Sequence, residues 1–201
     1  DLVAVQDKVT DKEIADLIKV YESEYEIADN CKEGGKDRKQ VVEAARAEIA
    51  LRRFLKEKGA KAFTTNFDDL HGVDQLPGLA CQRMMAEGFG YGAEGDWKTA
   101  ALYRTTWFMS QGLPKGCSFL EDYTLNFDGE KTAILQAHML EVCPLISSKK
   151  PRLEVHPLGI GGKNDPARLV FTSKTGRRIA ATIIDLGNRF RMIANEVECV
   201  E

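Results

Sequence analysis

Cys117-Ser-Phe-Leu-Glu-Asp-Tyr-Thr-Leu-Asn-Phe127, followed by Asp128-Gly129 and then Thr132-Ala-Ile-Leu-Gln-Ala-His138, is where this chain changes its hydrophobic period. Apolar, aromatic and β-branched residues alternate with polar ones along both arms, and the Asp-Gly pair between them is a hairpin signal. From here to the end the period stays near two. The segments 117–127, 132–143, 152–158, 167–173, 178–186 and 190–199 all read as strands with turn residues between them, and Thr175-Gly176 reads as a second hairpin turn.

Working back from that stretch, the pattern becomes helical before about residue 113. Thr10-Asp-Lys-Glu13 is a capping box that opens a helix with Ile14, Leu17, Ile18 and Tyr21 on one face. Residues 37–58 form a second, strongly charged helix with Val41, Val42, Ala45, Ile49 and Phe54 inward, closed by Gly59. Residues 62–67 are a short β-rich run. Pro77 starts a third helix that ends at Gly88, a glycine-punctuated loop runs from Gly88 to Gly95, and a fourth helix spans about Asp96 to Ser110. Leu2-Val-Ala-Val reads as strand-like, as does Val197-Glu-Cys-Val-Glu201, so both ends look cut within strands.

Helices and strands that alternate and then give way to a run of strands predict an α+β fold. The expected division is a partial, flavodoxin-like α/β layer over residues 1–115 and a mainly antiparallel β domain over 116–201. The 201 residues are 43% hydrophobic and 29% charged, enough to bury a core. A net charge of −3 gives no reason to expect a nucleic acid or an anionic membrane as partner. No apolar run approaches the roughly 20 residues of a membrane helix. The five cysteines are scattered and form no Cys-x-x-Cys pair, which fits reduced thiols in a cytoplasm, and Cys143 in its apolar run reads as packing.

Glu94 in Gly92-Ala-Glu-Gly-Asp-Trp-Lys98, Glu121 in Ser118-Phe-Leu-Glu-Asp-Tyr-Thr124 and His138 in Gln136-Ala-His-Met-Leu-Glu141 supply two carboxylates and an imidazole. That set makes most of a shell for a divalent cation, and the apolar flanks place each group in partly buried surroundings where an unpaired charge is costly. A two-residue loop at 128–129 sets Glu121 diagonal to His138, and a four-residue loop pairs them directly. Either puts them on one face at ~5–8 Å, whereas a three-residue loop puts them on opposite faces. Each residue also has an ordinary reading: Glu94 as a helix N-terminal charge, Glu121 as a cross-strand charge, His138 as a hydrogen-bonded core imidazole. Gly88-Phe-Gly-Tyr-Gly92 is no dinucleotide fingerprint, Gly159-Ile-Gly-Gly-Lys163 reads as a tight loop between strands, and His71 and His156 read as loop residues.

Several stretches resemble the L-arabinose isomerase family: Phe63-Thr-Thr-Asn-Phe67, Leu76-Pro-Gly-Leu-Ala80, residues 92–102, Phe119-Leu-Glu-Asp-Tyr-Thr124, His138-Met-Leu-Glu-Val-Cys-Pro144, Pro157-Leu-Gly-Ile-Gly-Gly-Lys163, residues 165–171 and Ile184-Asp-Leu-Gly187. The resemblance covers nearly the whole chain. It implies a metal-dependent aldose–ketose isomerase that interconverts L-arabinose and L-ribulose, and often D-galactose and D-tagatose, through an enediol. It implies Mn²⁺, with Mg²⁺ or Co²⁺ as substitutes, on Glu94, Glu121 and His138. By the same resemblance Glu94 and Glu121 are the catalytic acid and base, Phe67 and Met139 line the sugar pocket, and the full-length protein is a cytoplasmic homo-oligomer. The family's second metal histidine and its N-terminal domain have no counterpart in these residues, and Leu125-Asn126 replaces a common Tyr-His pair. The chain is thus expected to be a fragment of the enzyme, or else a non-catalytic remnant or oligomerisation module of the family.

Overall fold

The computed structural model describes residues 1–113 and 116–200. The expected boundary at residue 115 and the terminal Glu201 therefore lie outside the described residues. The helical half begins with α1 (Leu2–Gln6), α2 (Asp11–Glu24) and, after a two-residue strand β1 (Glu26–Ile27), the long α3 (Arg38–Glu57). Thr10 and Glu13 form the predicted capping box at α2, and Ile14, Ile18 and Tyr21 are buried. The opening run is a helix, not a strand. Asp1 caps it by accepting from the Ala4 amide, and Leu2 and Val5 pack against the first core. On α3 the buried stripe runs through Val41, Ala45, Glu48, Leu51 and Leu55, while Val42, Ile49 and Phe54 are only half-buried.

Next come β2 (Ala62–Thr65), α4 (Gly78–Ala86), β3 (Gly90–Ala93) and α5 (Trp97–Met109). β2 and β3 run parallel, in register Ala62↔Gly90 to Thr65↔Ala93, with α4 as the crossover between them. The glycine-punctuated stretch is thus no simple loop, because it holds a fully buried strand. Its glycines are there for α5. A Cβ on Gly90 would stand 2.2 Å from the Ala100 carbonyl oxygen, and one on Gly92 2.2 Å from that of Asp96. Without side chains the strand lets the helix backbone press onto it, at the cost of losing the β-branched pattern that identifies strands. Asp96 starts α5 by accepting from the Lys98 and Thr99 amides at 3.1 and 3.0 Å.

The remaining elements are strands: β4 (Glu121–Asn126), β5 (Ala133–Ala137), β6 (Arg152–Val155), β7 (Ala167–Val170), β8 (Gly176–Asp185) and β9 (Phe190–Cys199). β4–β5 and β8–β9 are antiparallel hairpins. The second hairpin turns at residues 186–189, where the Leu186 amide donates to the Arg189 carbonyl. Thr175-Gly176 is not its turn, for Gly176 is the first residue of β8 and needs its φ of +104° to enter that strand. β6 pairs antiparallel with β7 and parallel with β1, so residues 26–27, 152–155 and 167–170 share one sheet. Leu153, Ala167 and Leu169 enter the same core as Val9, Ile14, Ile18 and Tyr21. The result is an α+β fold whose later part is mainly antiparallel. No helix among the described residues is long and apolar enough to cross a membrane.

An apolar core and an ionic hub support the carboxyl ends of β2 and β3. Cys81, Met85, Tyr91, Tyr103, Phe119 and Cys143 pack as one cluster, in which the Tyr103 hydroxyl donates to the Met85 carbonyl at 3.0 Å and meets Cys143 Sγ at 3.3 Å. Burial pushes the Cys143 thiol up to about 12, so it is an inert packing group, as expected from its apolar run. Behind α4 lies a buried ionic hub. Glu48 accepts from Tyr21 at 2.7 Å, from Arg52 at 2.8 and 2.9 Å and from Arg83 at 3.1 Å. All five cysteines are free.

Candidate active-site cleft

β2 and β3 end side by side, and the open space beyond the carboxyl ends of parallel strands is where α/β layers build pockets. A cleft of about 460 Å³, counting its open mouth, begins there. Thr65 and Phe67 reach it from the end of β2, Ala93 and Glu94 from the end of β3, and His138, Met139 and Glu141 from the segment after β5. Ile160, from the tight loop between β6 and β7, closes another side. In that loop Lys163 spends its ammonium on the Leu70 and Val73 carbonyls at 2.6 and 2.8 Å, which makes it a brace rather than a phosphate ligand.

Glu94 sits at the turn between β3 and α5 with φ of +54°. A side chain there is strained by roughly 1–2 kcal/mol relative to ordinary backbone. Its expected partial burial is corrected by the structure: Glu94 is exposed at the rim, because the turn carries it past the end of the buried strand. Glu121 begins β4 and is half-exposed, and His138 follows the last residue of β5. Near the hairpin tip, Asn126↔Ala133 is the register of a four-residue loop, but a bulge between Asp122 and Thr124 shifts it so that Glu121 faces Ala137. In a continued ladder that shift would set Glu121 and His138 on opposite faces. β5 stops at Ala137 instead, the chain turns, and His138 Nε2 comes to 3.7 Å from Glu121 Oε1.

The imidazole is clamped by aromatic edges, with Phe119 at 5.0 Å and Tyr123 at 6.5 Å between ring centres. Burial by itself lowers its pKa, yet Glu141 beside Nδ1, then Glu121 and Glu94, more than offset this and hold it above the usual value. The cleft is thus a place where positive charge is favoured. Among the described residues no three His, Cys, Asp or Glu side chains are drawn together into a metal-holding group. What the structure brings together is the pair Glu121 and His138, with Glu94 on the cleft that His138 lines. Phe67 and Met139 line that same cleft, the first half-buried and the second 44% exposed at its mouth.

Glu141, Tyr91 and Thr65 were not singled out by sequence reasoning. Glu141 is 4% exposed, and its Oε2 lies 2.6 Å from His138 Nδ1. Its signal was the three-residue spacing from His138, which a turn converts into contact. Tyr91 offered none, since it stood in an apparent glycine loop. His156 pairs locally with Glu154 at 2.5 Å, and His71 is exposed, so both are loop residues as expected.

Known proteins match the chain along nearly its whole length. The L-arabinose isomerase central domain matches residues 1–112, and the L-arabinose isomerase C-terminal domain matches residues 116–201. The L-arabinose isomerase of Phocaeicola vulgatus is 60% identical over the whole chain and that of Bacteroides thetaiotaomicron 58%; the chain covers 41% of each. That of Klebsiella pneumoniae (strain 342) is 52% identical, again over all of this chain and 40% of the relative. The chain therefore spans about two fifths of the length of the curated relatives it matches. By both matched regions, it belongs to the L-arabinose isomerase family.

Proposed function

We propose that this chain carries part of the active site of a metal-dependent aldose–ketose isomerase that interconverts L-arabinose and L-ribulose, with D-galactose and D-tagatose as a second pair, through an enediol. The observation that supports this most directly is the meeting of Glu121 and His138 at 3.7 Å beside a cleft that Glu94 also lines, in a chain of this family. The donors suit a hard or borderline divalent cation, and the carboxylates of Glu121 and Glu141 beside the imidazole make the place attractive to positive charge. Mn²⁺ is the proposed occupant, with Mg²⁺ or Co²⁺ as substitutes, held by Glu94, Glu121 and His138.

When bound, such a cation acidifies the C–H bond next to the sugar carbonyl. The chain's own residues do the rest. One member of the Glu94–Glu121 pair, as carboxylate, takes the proton from one carbon and becomes the acid, and the other, as carboxylic acid, gives its own proton to the neighbouring carbon and becomes the carboxylate. Phe67 and Met139 supply an apolar wall along the sugar. The free thiols fit a cytoplasmic setting, and the longer protein is proposed to be a homo-oligomer, with residues 1–115 and 116–201 as its two family regions here.

Calorimetric titration of the chain with Mn²⁺ tests this reading. Affinity is expected to fall by more than about tenfold in Glu121→Ala; equal affinity in the wild type and the variant overturns it. One observation favours a second reading, a non-catalytic or oligomerisation module: no three ligands close on a common point among the described residues. Adding the separately expressed remainder of a relative decides between them, since isomerase activity supports the first and silence the second.

A further inference from the structure

Glu141 is a carboxylate with almost no access to water, and burying such a group without a partner costs several kcal/mol. The groups that face it are few. Tyr91 reaches it from β3 and is itself held by Thr65, at 2.8 Å between hydroxyls. Arg168 contributes charge at longer range while its guanidinium binds the Met139 and His156 carbonyls at 2.9 and 3.0 Å. The close neighbour is His138 Nδ1 at 2.6 Å, a hydrogen-bond length, although the ring is turned off the ideal axis. Neither Nδ1 nor Glu141 Oε2 has a well-aligned hydrogen-bond partner, so each is the nearest candidate for the other.

We propose that Glu141 is a positioning residue: it accepts the Nδ1–H of His138 and so fixes the tautomer that turns the Nε2 lone pair toward Glu121 and the cleft. The geometry leaves the two ring nitrogens different tasks. Nδ1 faces a buried carboxylate, and Nε2 faces the Glu121 carboxylate at 3.7 Å. A neutral imidazole with its proton on Nε2 would set its Nδ1 lone pair against the Glu141 charge in a dry site, a repulsive arrangement. With the proton on Nδ1 that clash becomes a charge-assisted hydrogen bond. The Nε2 lone pair then faces Glu121 beside the cleft that Glu94 also lines, an arrangement a cation would satisfy. Carboxylates behind metal-bound imidazoles act in this way, orienting the ring and raising its basicity. The ring contacts with Phe119 and Tyr123 limit rotation, so the tautomer rather than the rotamer is what Glu141 sets.

This inference rests on the proposed metal reading for its purpose but not for its test. Long-range ¹H–¹⁵N spectra of the metal-free chain, recorded above the pH at which the imidazole protonates, report the tautomer. The His71→Asn/His156→Asn variant leaves one histidine to observe. The expected wild-type spectrum shows the Nδ1–H form of His138. In Glu141→Gln, whose amide can serve either tautomer, the expected spectrum is a mixture. Should the Gln variant not fold, Glu141→Asp, which withdraws the carboxylate by one methylene, is expected to show the same mixing. A wild-type Nε2–H form, or an unchanged spectrum in a folded variant, overturns the proposal. Mn²⁺ titration adds a second readout, with affinity expected to drop about 10- to 100-fold in Glu141→Gln. Absence of Mn²⁺ binding in the wild type would sink the metal reading alone, since the tautomer is observed without metal.

Discussion

Glu94 offers a test in which function and stability pull in opposite directions. Its φ of +54° brings the β-carbon too close to the following carbonyl oxygen, at roughly 1–2 kcal/mol. Glycine escapes that crowding but gives up about 0.5–1 kcal/mol in unfolded-chain entropy. Comparing Glu94→Ala with Glu94→Gly isolates the difference, because both remove the carboxylate and only one removes the β-carbon. Glu94→Gly should therefore be the more stable of the two by roughly 0.5–1 kcal/mol, or about 2 °C in midpoint for a chain of this size. Urea denaturation without metal measures it, and Mn²⁺ titration should show equal losses of affinity in the two variants. If Glu94→Ala matches or exceeds Glu94→Gly in stability, residue 94 carries no backbone strain. If the glycine variant also exceeds the wild type, a charged side chain is being kept at the rim against stability, as expected where function requires it.

Two further outcomes follow from the supporting structure. Glu48→Gln should cost about 3–5 kcal/mol in urea denaturation, because Arg83, Arg52 and Tyr21 would be left around a neutral group in a dry site; a loss below about 1 kcal/mol would show that the hub is solvated. Asp96 at the start of α5 supplies a pH test. Burial opposes its ionisation, but the Thr99 backbone and hydroxyl, with Lys98, outweigh that and hold its pKa below the ordinary 3.8. A depressed carboxylate stabilises the fold above its unfolded pKa, and that contribution fades as pH falls through the folded value. The stability advantage of the wild type over Asp96→Asn should thus be present at neutral pH and vanish below the ordinary 3.8, as followed by thermal melts; a constant difference would refute the assignment.

Much of the architecture is local and was readable. The Thr10–Glu13 box, the extent of α3, the start of α5 near Asp96 and the Asp128-Gly129 hairpin each depend on neighbours within a few residues, where spacing translates directly into geometry. Glu94, Glu121 and His138 were nameable as candidates from residue type and flanking residues, and the structure sets His138 beside Glu121 and on the cleft that Glu94 lines. Where the reading failed, distant parts of the chain had overruled local preference. Leu2-Val-Ala-Val has strand composition but becomes helix because Asp1 caps it and the first core receives its apolar side. β3 looked like loop because Gly90 and Gly92 answer to the backbone of α5, not to strand propensity.

By itself, then, the order of residues determined the element types over most of the chain, the change from helical to alternating period, and where carboxylates and an imidazole stand among apolar neighbours. Only the tertiary structure decided that β6 and β7 join β1 under the N-terminal helices, that a bulge and an early strand end turn His138 back toward Glu121, and that a buried Glu141 stands behind its ring. The reason is range. Caps, periods and turns are set by steric and hydrogen-bonding rules acting over one or two turns of chain. Strand partners and the fine register of Glu121 against His138 are set instead by what must be excluded from water, and that is settled when the whole chain packs.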